Sequence, residues 1–307
     1  MSSATVWLVP RRDEAYRPFL VSRPEAPGLH PDIDVEVVLS APTVPAGRQI
    51  FDSGTAWSAY VDELGYRLVV RWSGPGGGLT VARCTPDTSR VVAHYTGAGG
   101  DSPALGPTAA IDDPVRYPVD QLLLMGHLAV RGGVIVHSAG LVLGGAGLVF
   151  PGVSGAGKTT LCRLLAGAGL GDALLSDDRT IVRAEGVGRG DPVEVAGGGA
   201  PDGAAAFRLW GTPWHGDAQI ARNDSAPLRA VLFLVQADAT RVVPIAPAAA
   251  ARRLFPVVTC PWYDRRLLPA VLDTCGRLVE SVPCYELRFR RDREVAGVIE
   301  RFAAGLA

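Results

Sequence analysis

The sequence is poor in cysteine, and the cysteines it has form no pattern. The 307 residues hold five, Cys84, Cys162, Cys260, Cys275 and Cys284, an odd number and widely scattered. No Cys-x-x-Cys pair occurs, so neither a zinc knuckle nor a disulfide framework is encoded, and reduced thiols are expected. An excess of either charge is also missing, since 30 Lys and Arg against 31 Asp and Glu leave a formal net charge of −1. Nothing in that balance favours a global attraction to nucleic acid or to an anionic membrane. A long unbroken apolar run is absent too. The longest apolar region, residues 121–150, is cut by His127, Arg131, His137 and repeated glycines, too interrupted for a membrane span. The opening, MSSATVWLVPRRDEAYRPF, has no basic segment leading into an apolar stretch, so it does not read as a secretion signal. The expectation is a soluble, cytoplasmic protein with no nucleic-acid or membrane partner.

What is present is apolar surface to bury. Apolar residues make up 48% of the chain, which supports a substantial core in one large domain or two ordinary ones. Residues 1–110 read as a β-rich N-terminal domain. TVWLV, IDVEVVL, YRLVVRW, LTVAR and RVVAHYT are short runs heavy in β-branched and aromatic residues, separated by Gly- and Pro-containing turns. No acid–base–nucleophile cluster lies among them. The small, turn-prone stretch 96–114 marks the boundary, as a linker or as a loop within one body.

From Tyr117 the texture changes to mixed α/β, giving a second domain over 111–307. YPVDQLLLMGHLAVR has helical apolar spacing behind a proline suited to a first turn. GVIVHSAGLVL, then GGAG, then LVF reads as two strands joined by a tight glycine turn. A helix is expected over 158–167, a strand over 173–176, and a hairpin pairing 180–184 with 193–195. Further on come a buried strand at 228–237, a helix in LLPAVLDTCGRLVESV, a strand in CYELRFR, and a last helix from about Asp292.

The chemistry is densest at GVSGAGKTT, residues 152–160, which satisfies G-x-x-x-x-G-K-[ST] through Gly152, Gly157, Lys158 and Thr159. Glycines let consecutive backbone N–H groups turn around phosphate oxygens with no Cβ in the way. The helix starting at the lysine adds its dipole and free amides. Lys158 can reach the β- and γ-phosphates, and the Thr159 hydroxyl can ligate Mg²⁺. Gly152, Ser154, Gly155, Ala156, Gly157, Lys158, Thr159 and Thr160 are the expected contacts of ATP-Mg²⁺. An apolar strand before the loop and an amphipathic segment after it supply the required context.

Two further features flank the loop. LLSDDR, residues 174–179, ends an apolar run in adjacent aspartates. One carboxylate can position a metal ion. The other either accepts the proton of an acceptor hydroxyl, or merely pairs with Arg179 or caps a turn. His137, in the apolar strand ahead of the loop, is either a hydrogen-bonded core residue or a group that orients the acidic pair and helps move a proton.

Taken together, VHSAGLVL, GLVFPGVSGAGKTT and LLSDDR resemble the catalytic domain of the HPr serine kinases/phosphorylases, and the related P-loop fold of ATP-dependent phosphoenolpyruvate carboxykinases. The resemblance is specific over residues 134–183, thinner to about residue 290, and does not cover residues 1–110. It implies an HPr-kinase-like P-loop domain with a mixed sheet. It implies also a serine phosphotransferase in which His137 is the active-site histidine, Lys158 the phosphate-binding lysine, Thr159 the hydroxyl on magnesium and Asp178 the general base, with Asp177 beside the metal. Because the family often assembles into hexamers, a homo-oligomer is implied as well.

The match departs where the family has a metal-binding Glu-x-Arg-Gly segment. The counterpart, FRLWGTPWHGD at 207–217, keeps a glycine and lacks the glutamate. Asp217 or His215 is then the candidate substitute, while Trp210, Trp214 and His215 form either an acceptor-binding wall or a loop packed on the core. In PWYDRRL, Arg265 or Arg266 is a candidate charge clamp, with a surface salt bridge as the equal alternative. These departures leave the acceptor open between a serine in a protein or peptide and a small-molecule alcohol. A carboxykinase-like enzyme finds no convincing basic cluster near the loop, though Arg222, Arg252 and Arg253 keep it in play. No LSGGQ-like signature follows the loop, which argues against an ABC-type ATPase. A nucleotide-binding regulatory or scaffold protein is the non-enzymatic alternative.

Overall fold

The computed structural model describes residues 14–19, 32–39, 47–72, 78–96, 113–186 and 206–306. The strand expected at TVWLV, most of the 96–114 stretch and the 193–195 arm of the expected hairpin lie outside these residues. Contacts divide the chain between His127 and Leu128, whereas the sequence reading divides it near residue 110, and residues 14–19 go with the second body. Residues 113–127 join the first body for definable reasons. The Thr80 hydroxyl donates to the Pro114 carbonyl at 3.3 Å, and the Arg116 guanidinium lies 4.5 Å from the centre of the Trp72 ring.

The first body is a six-stranded sheet of β1 (Asp34–Leu39), β2 (Arg48–Asp52), β3 (Trp57–Asp62), β4 (Gly65–Arg71), β5 (Leu79–Cys84) and β6 (Arg90–Thr96). The strand order is β1-β6-β5-β4-β3-β2, antiparallel except for the β1–β6 pair. In β6 the buried positions alternate, as a sheet with one covered face requires. Strands β2 and β3 escape the sequence reading. RQIFD is an edge strand with charged ends and one β-branched residue, so its propensity is weak. It is held by pairing with β3 and by the Phe51–Trp57 ring contact, centroids 4.3 Å apart.

Helix α1 (Val119–Ala129) carries the chain into the second body. There follow β7 (Gly133–Leu143), β8 (Ala146–Pro151), α2 (Lys158–Leu165), β9 (Leu174–Ser176), β10 (Arg179–Ala184), β11 (Phe207–Trp210), β12 (Ser225–Gln236), β13 (Arg241–Pro244), α3 (Pro247–Leu254), β14 (Val258–Thr259), α4 (Leu268–Ser281), β15 (Cys284–Phe289) and α5 (Glu294–Ala304). The body is mixed α/β, with a nine-stranded sheet in which seven strands are ordered β11-β10-β7-β8-β12-β15-β13 and β9 and β14 each pair with β7 off this path. Gly144 and Gly145, at φ +58° and +79°, make the two-residue turn that joins β7 to β8. The partners of β10 are β7 and β11, both antiparallel.

Strands β8, β12 and β15 run parallel, so their C-terminal ends share one edge, the usual place for a ligand in an open α/β sheet. One face of this sheet is packed by α2 and α5. Leu161, Cys162 and Leu165 from α2 and Val295, Ile299 and Ala303 from α5 meet Leu141, Phe150, Leu232, Leu287 and Phe289. In the last helix Val295 and Ile299 are buried, Val298 is half-buried, and Phe302 lies partly buried against Tyr285. This packing fixes where α2 begins. Among the described residues, no helix is long and apolar enough to cross a membrane.

Candidate active site

β8 delivers the chain into a glycine-built loop at the sheet edge. The Gly152 amide donates to the His137 carbonyl at 3.1 Å and the Ala156 amide to the Val153 carbonyl at 3.1 Å, so the loop turns back on itself immediately. A Cβ on Gly152 would lie 2.7 Å from that of Ala156, and one on Gly157 would lie 3.2 Å from the Phe289 ring. Gly157 also holds φ +108°, in the left-handed region that a side chain disfavours. Lys158 opens α2, with Thr159 and Thr160 half-buried on its first turn and Ser154 and Gly155 exposed. The eight expected phosphate contacts thus form one continuous turn. Such a turn ahead of a helix suits an anion, because the first amides of a helix lack partners.

The loop lysine meets the other candidates through one imidazole. Lys158 is 6% exposed; its Nζ donates to His137 Nε2 at 2.9 Å, to the Gly152 carbonyl at 2.6 Å and to the Val153 carbonyl at 3.2 Å. An ammonium has only donors, so Nε2 accepts and Nδ1 carries the ring proton. That Nδ1–H faces Asp178, with Oδ1 and the backbone carbonyl each 3.0 Å away. Asp178 Oδ2 takes the Arg179 guanidinium, so the pairing with Arg179 coexists with a place in the cluster. Burial raises the Asp178 pKa, but the His137 hydrogen bond, Arg179 and Lys158 outweigh it and hold the carboxyl below its ordinary range. Burial lowers the Lys158 pKa, against the opposing pull of Asp178.

These groups come together through the long β7. His137 sits opposite Arg179 in the β7–β10 register, and the Ser138 amide donates to the Asp178 carbonyl at 2.9 Å. The buried Ser138 and Thr180 hydroxyls bond each other at 2.7 Å beneath them. Ser176, fully buried, accepts the Asp178 and Arg179 amides at 3.3 and 3.2 Å. That hydroxyl turns the chain between β9 and β10, which lets the two aspartates diverge. Sequence reasoning missed Ser176; a serine just ahead of an aspartate pair at a strand end is a local turn signal that could have found it.

Asp177, expected beside a metal, has its carboxylate among backbone amides. It is 2% exposed, and its carboxylate accepts three backbone amides: Gly216 at 2.8 Å and Ile220 at 3.2 Å on Oδ1, and Ala218 at 2.7 Å on Oδ2. Here the carboxylate anchors a loop. The loop belongs to the FRLWGTPWHGD segment and its continuation, so the structure brings that segment to the acidic pair. The Thr212 hydroxyl donates to the Arg179 carbonyl at 2.6 Å. Trp214 is buried at 7% exposure, which packs it into the body, while Trp210 is 41% exposed. The His215 ring donates from Nδ1 to the Gly216 carbonyl at 3.1 Å, and Asp217 is exposed.

β14 pairs antiparallel with β7, Val258 opposite Val136 and Thr259 opposite Ile135. Arg266 bonds the buried carboxylate of Asp264 through its amide and its guanidinium, and Arg265 is exposed. The salt-bridge alternative thus holds for Arg266. Arg222 pairs with Asp172, Arg253 pairs with Glu286 and lies over the Phe233 ring, and Arg252 is exposed. All five cysteines are free. Burial pushes the thiols of Cys84, Cys162 and Cys275 up to about 12 and that of Cys284 to about 11, so these four are poor nucleophiles. Among the described residues, no group of three or more His, Cys, Asp or Glu side chains is arranged to hold a metal ion.

No protein-family model matches the chain, and no curated protein matches it.

Proposed function

We propose that this chain is a phosphotransferase, moving the γ-phosphoryl group of ATP to a hydroxyl, foremost the serine of a protein or peptide and alternatively a small-molecule alcohol. The observation that carries the reading is the line Lys158 Nζ–His137–Asp178, with neighbouring distances of 2.9 and 3.0 Å, at the mouth of the 152–157 turn. A phosphate-binding cation and a half-buried carboxylate are there joined by one ring. The glycine turn supports a triphosphate as ligand, since a Cβ at Gly152 would collide with that of Ala156 and Gly157 holds φ +108°, so the turn is kept for backbone amides.

With a triphosphate in the turn, Lys158 would exchange the Gly152 and Val153 carbonyls for β- and γ-phosphate oxygens. Asp178 would take the proton of the acceptor hydroxyl. The acceptor oxygen would then bond to the γ-phosphorus as the bridge to the β-phosphate breaks, leaving ADP. His137 would keep the Asp178 carboxylate aimed through Nδ1–H after Lys158 has moved. Magnesium, when bound, would draw charge from the phosphate oxygens, and the Thr159 hydroxyl is the group that would hold it. Histidine, loop and acidic pair in this order also support an HPr-kinase-like P-loop fold for the second body.

One observation favours a second reading. Both Asp178 oxygens are engaged, one by His137 and one by Arg179, an arrangement equally suited to a protein that binds a nucleotide without transferring phosphate. A single experiment separates the two. The purified chain is incubated with γ-labelled ATP, Mg²⁺ and a lysate of the source organism. Label on an acceptor hydroxyl with release of ADP supports transfer, whereas ATP binding with neither labelled acceptor nor ADP supports the regulatory reading.

A further inference from the structure

Asp177 is a charged side chain withdrawn almost completely from solvent, and the groups that satisfy it come from one turn. Three amides within five residues converge on it, from Gly216, Ala218 and Ile220, at 2.8, 2.7 and 3.2 Å. A carboxylate has about four lone-pair positions, so Oδ1 is filled and Oδ2 half-filled before any ion arrives. The turn is pressed close as well as bonded. A Cβ on Gly216 would lie 2.9 Å from Asp177 Oδ2 and 3.1 Å from Asp178 Cβ. The base of the same loop is tied to the same short segment, where the Arg222 amide donates to the Leu175 carbonyl at 2.9 Å and Ala221 bridges Ser176.

We infer that Asp177 is a positioning residue: its buried carboxylate clamps the 216–220 turn so that Gly216 backs directly onto Asp178, and it is not a ligand of the catalytic metal. The inference rests on the phosphotransfer reading for what the clamp serves, and on geometry alone for the clamp. The loop is then a preformed wall beside the base. Without the carboxylate, three amides lose a charged acceptor, and each such bond is a strong one.

The test uses the full chain and reads backbone hydrogen exchange together with binding of a fluorescent ATP analogue at varied Mg²⁺. In Asp177→Ala, exchange within 212–222 should rise by about tenfold or more, with the 152–165 segment unchanged. The dependence of analogue binding on Mg²⁺ should stay within about twofold of wild type, because no metal ligand has been removed. Gly216→Ala attacks the same contact from the loop side and should give the same footprint, which serves if Asp177→Ala does not fold. Asp177→Asn keeps one carbonyl as acceptor and should restore part of the protection. Unchanged exchange in 212–222 would overturn the clamp. So would loss of the Mg²⁺ dependence by about tenfold, the mark of a metal ligand. If the analogue does not bind at all, the nucleotide reading of the loop fails, while the exchange footprint still decides the clamp.

Discussion

The two bodies use polar side chains in different ways. In the six-stranded sheet the turn contacts are local: Asp52 takes the Gly54 amide, Ser53 the Trp57 amide, Asp62 the Arg67 guanidinium, and Asp87 the Thr85 and Ser89 hydroxyls. These bonds span two to five residues and shape hairpins. At the loop end of the nine-stranded sheet, His137 meets Asp178 across 41 residues, Ser138 meets Thr180 across 42, and Asp177 meets Gly216 across 39. Local bonds make a scaffold; distant ones make a constellation. Chemistry is expected where the chain has paid the entropy of bringing remote polar groups to one point.

That contrast can be broken, beginning with the largest expected effect. Asp178→Asn should cut phosphoryl transfer by at least about 10²-fold while leaving ATP affinity nearly unchanged, the scale for losing a general base; single-turnover transfer of labelled phosphate checks it. Wild-type transfer would remove Asp178 from the chemistry. Lys158→Ala should weaken ATP binding by about tenfold, the loss of a charge-assisted contact to phosphate, measured by titration calorimetry. Unchanged affinity would mean that the lysine serves only to hold the loop through the Gly152 and Val153 carbonyls.

The control lies in the other body. Asp87→Ala removes a turn contact and should cost about 1 kcal/mol of stability, read by denaturant titration, with no change in nucleotide affinity. A change in affinity there would abolish the separation of roles drawn above. The smallest effect is one of pH. The folded Asp178 carboxyl is held below its ordinary value of 3.8. Its contribution to stability is therefore present above that value and fades as pH falls through the folded one. The stability gap between wild type and Asp178→Asn should narrow over that acidic window, by a modest amount because the group keeps some contact with solvent.

Much of the second body was legible because its signals are local. The β7–β8 hairpin announces itself by its paired glycines, the 152–160 loop by its spacing, and α4 and β15 by their periodicity. The cluster of Lys158, His137 and Asp178 could be named because all three sit on elements that read clearly. The use made of Asp177 was not legible. Its partners are amides, which every residue possesses, brought from 39 to 43 residues away by a loop with no periodic pattern. The pairing of Arg266 with the buried Asp264 could be named only as one of two alternatives, because it is set by a local turn and not by a periodic pattern.

Strand β7 has a last consequence. Along its eleven residues it meets β8, β9, β10 and β14, and at its midpoint it presents His137. Inserting or deleting a single residue there would invert every side chain beyond the change, sending His137 to the opposite face and the neighbouring valines toward the loop. Relatives of this protein are therefore expected to keep the number of residues in this strand, since one more or one fewer would part His137 from Lys158 and Asp178.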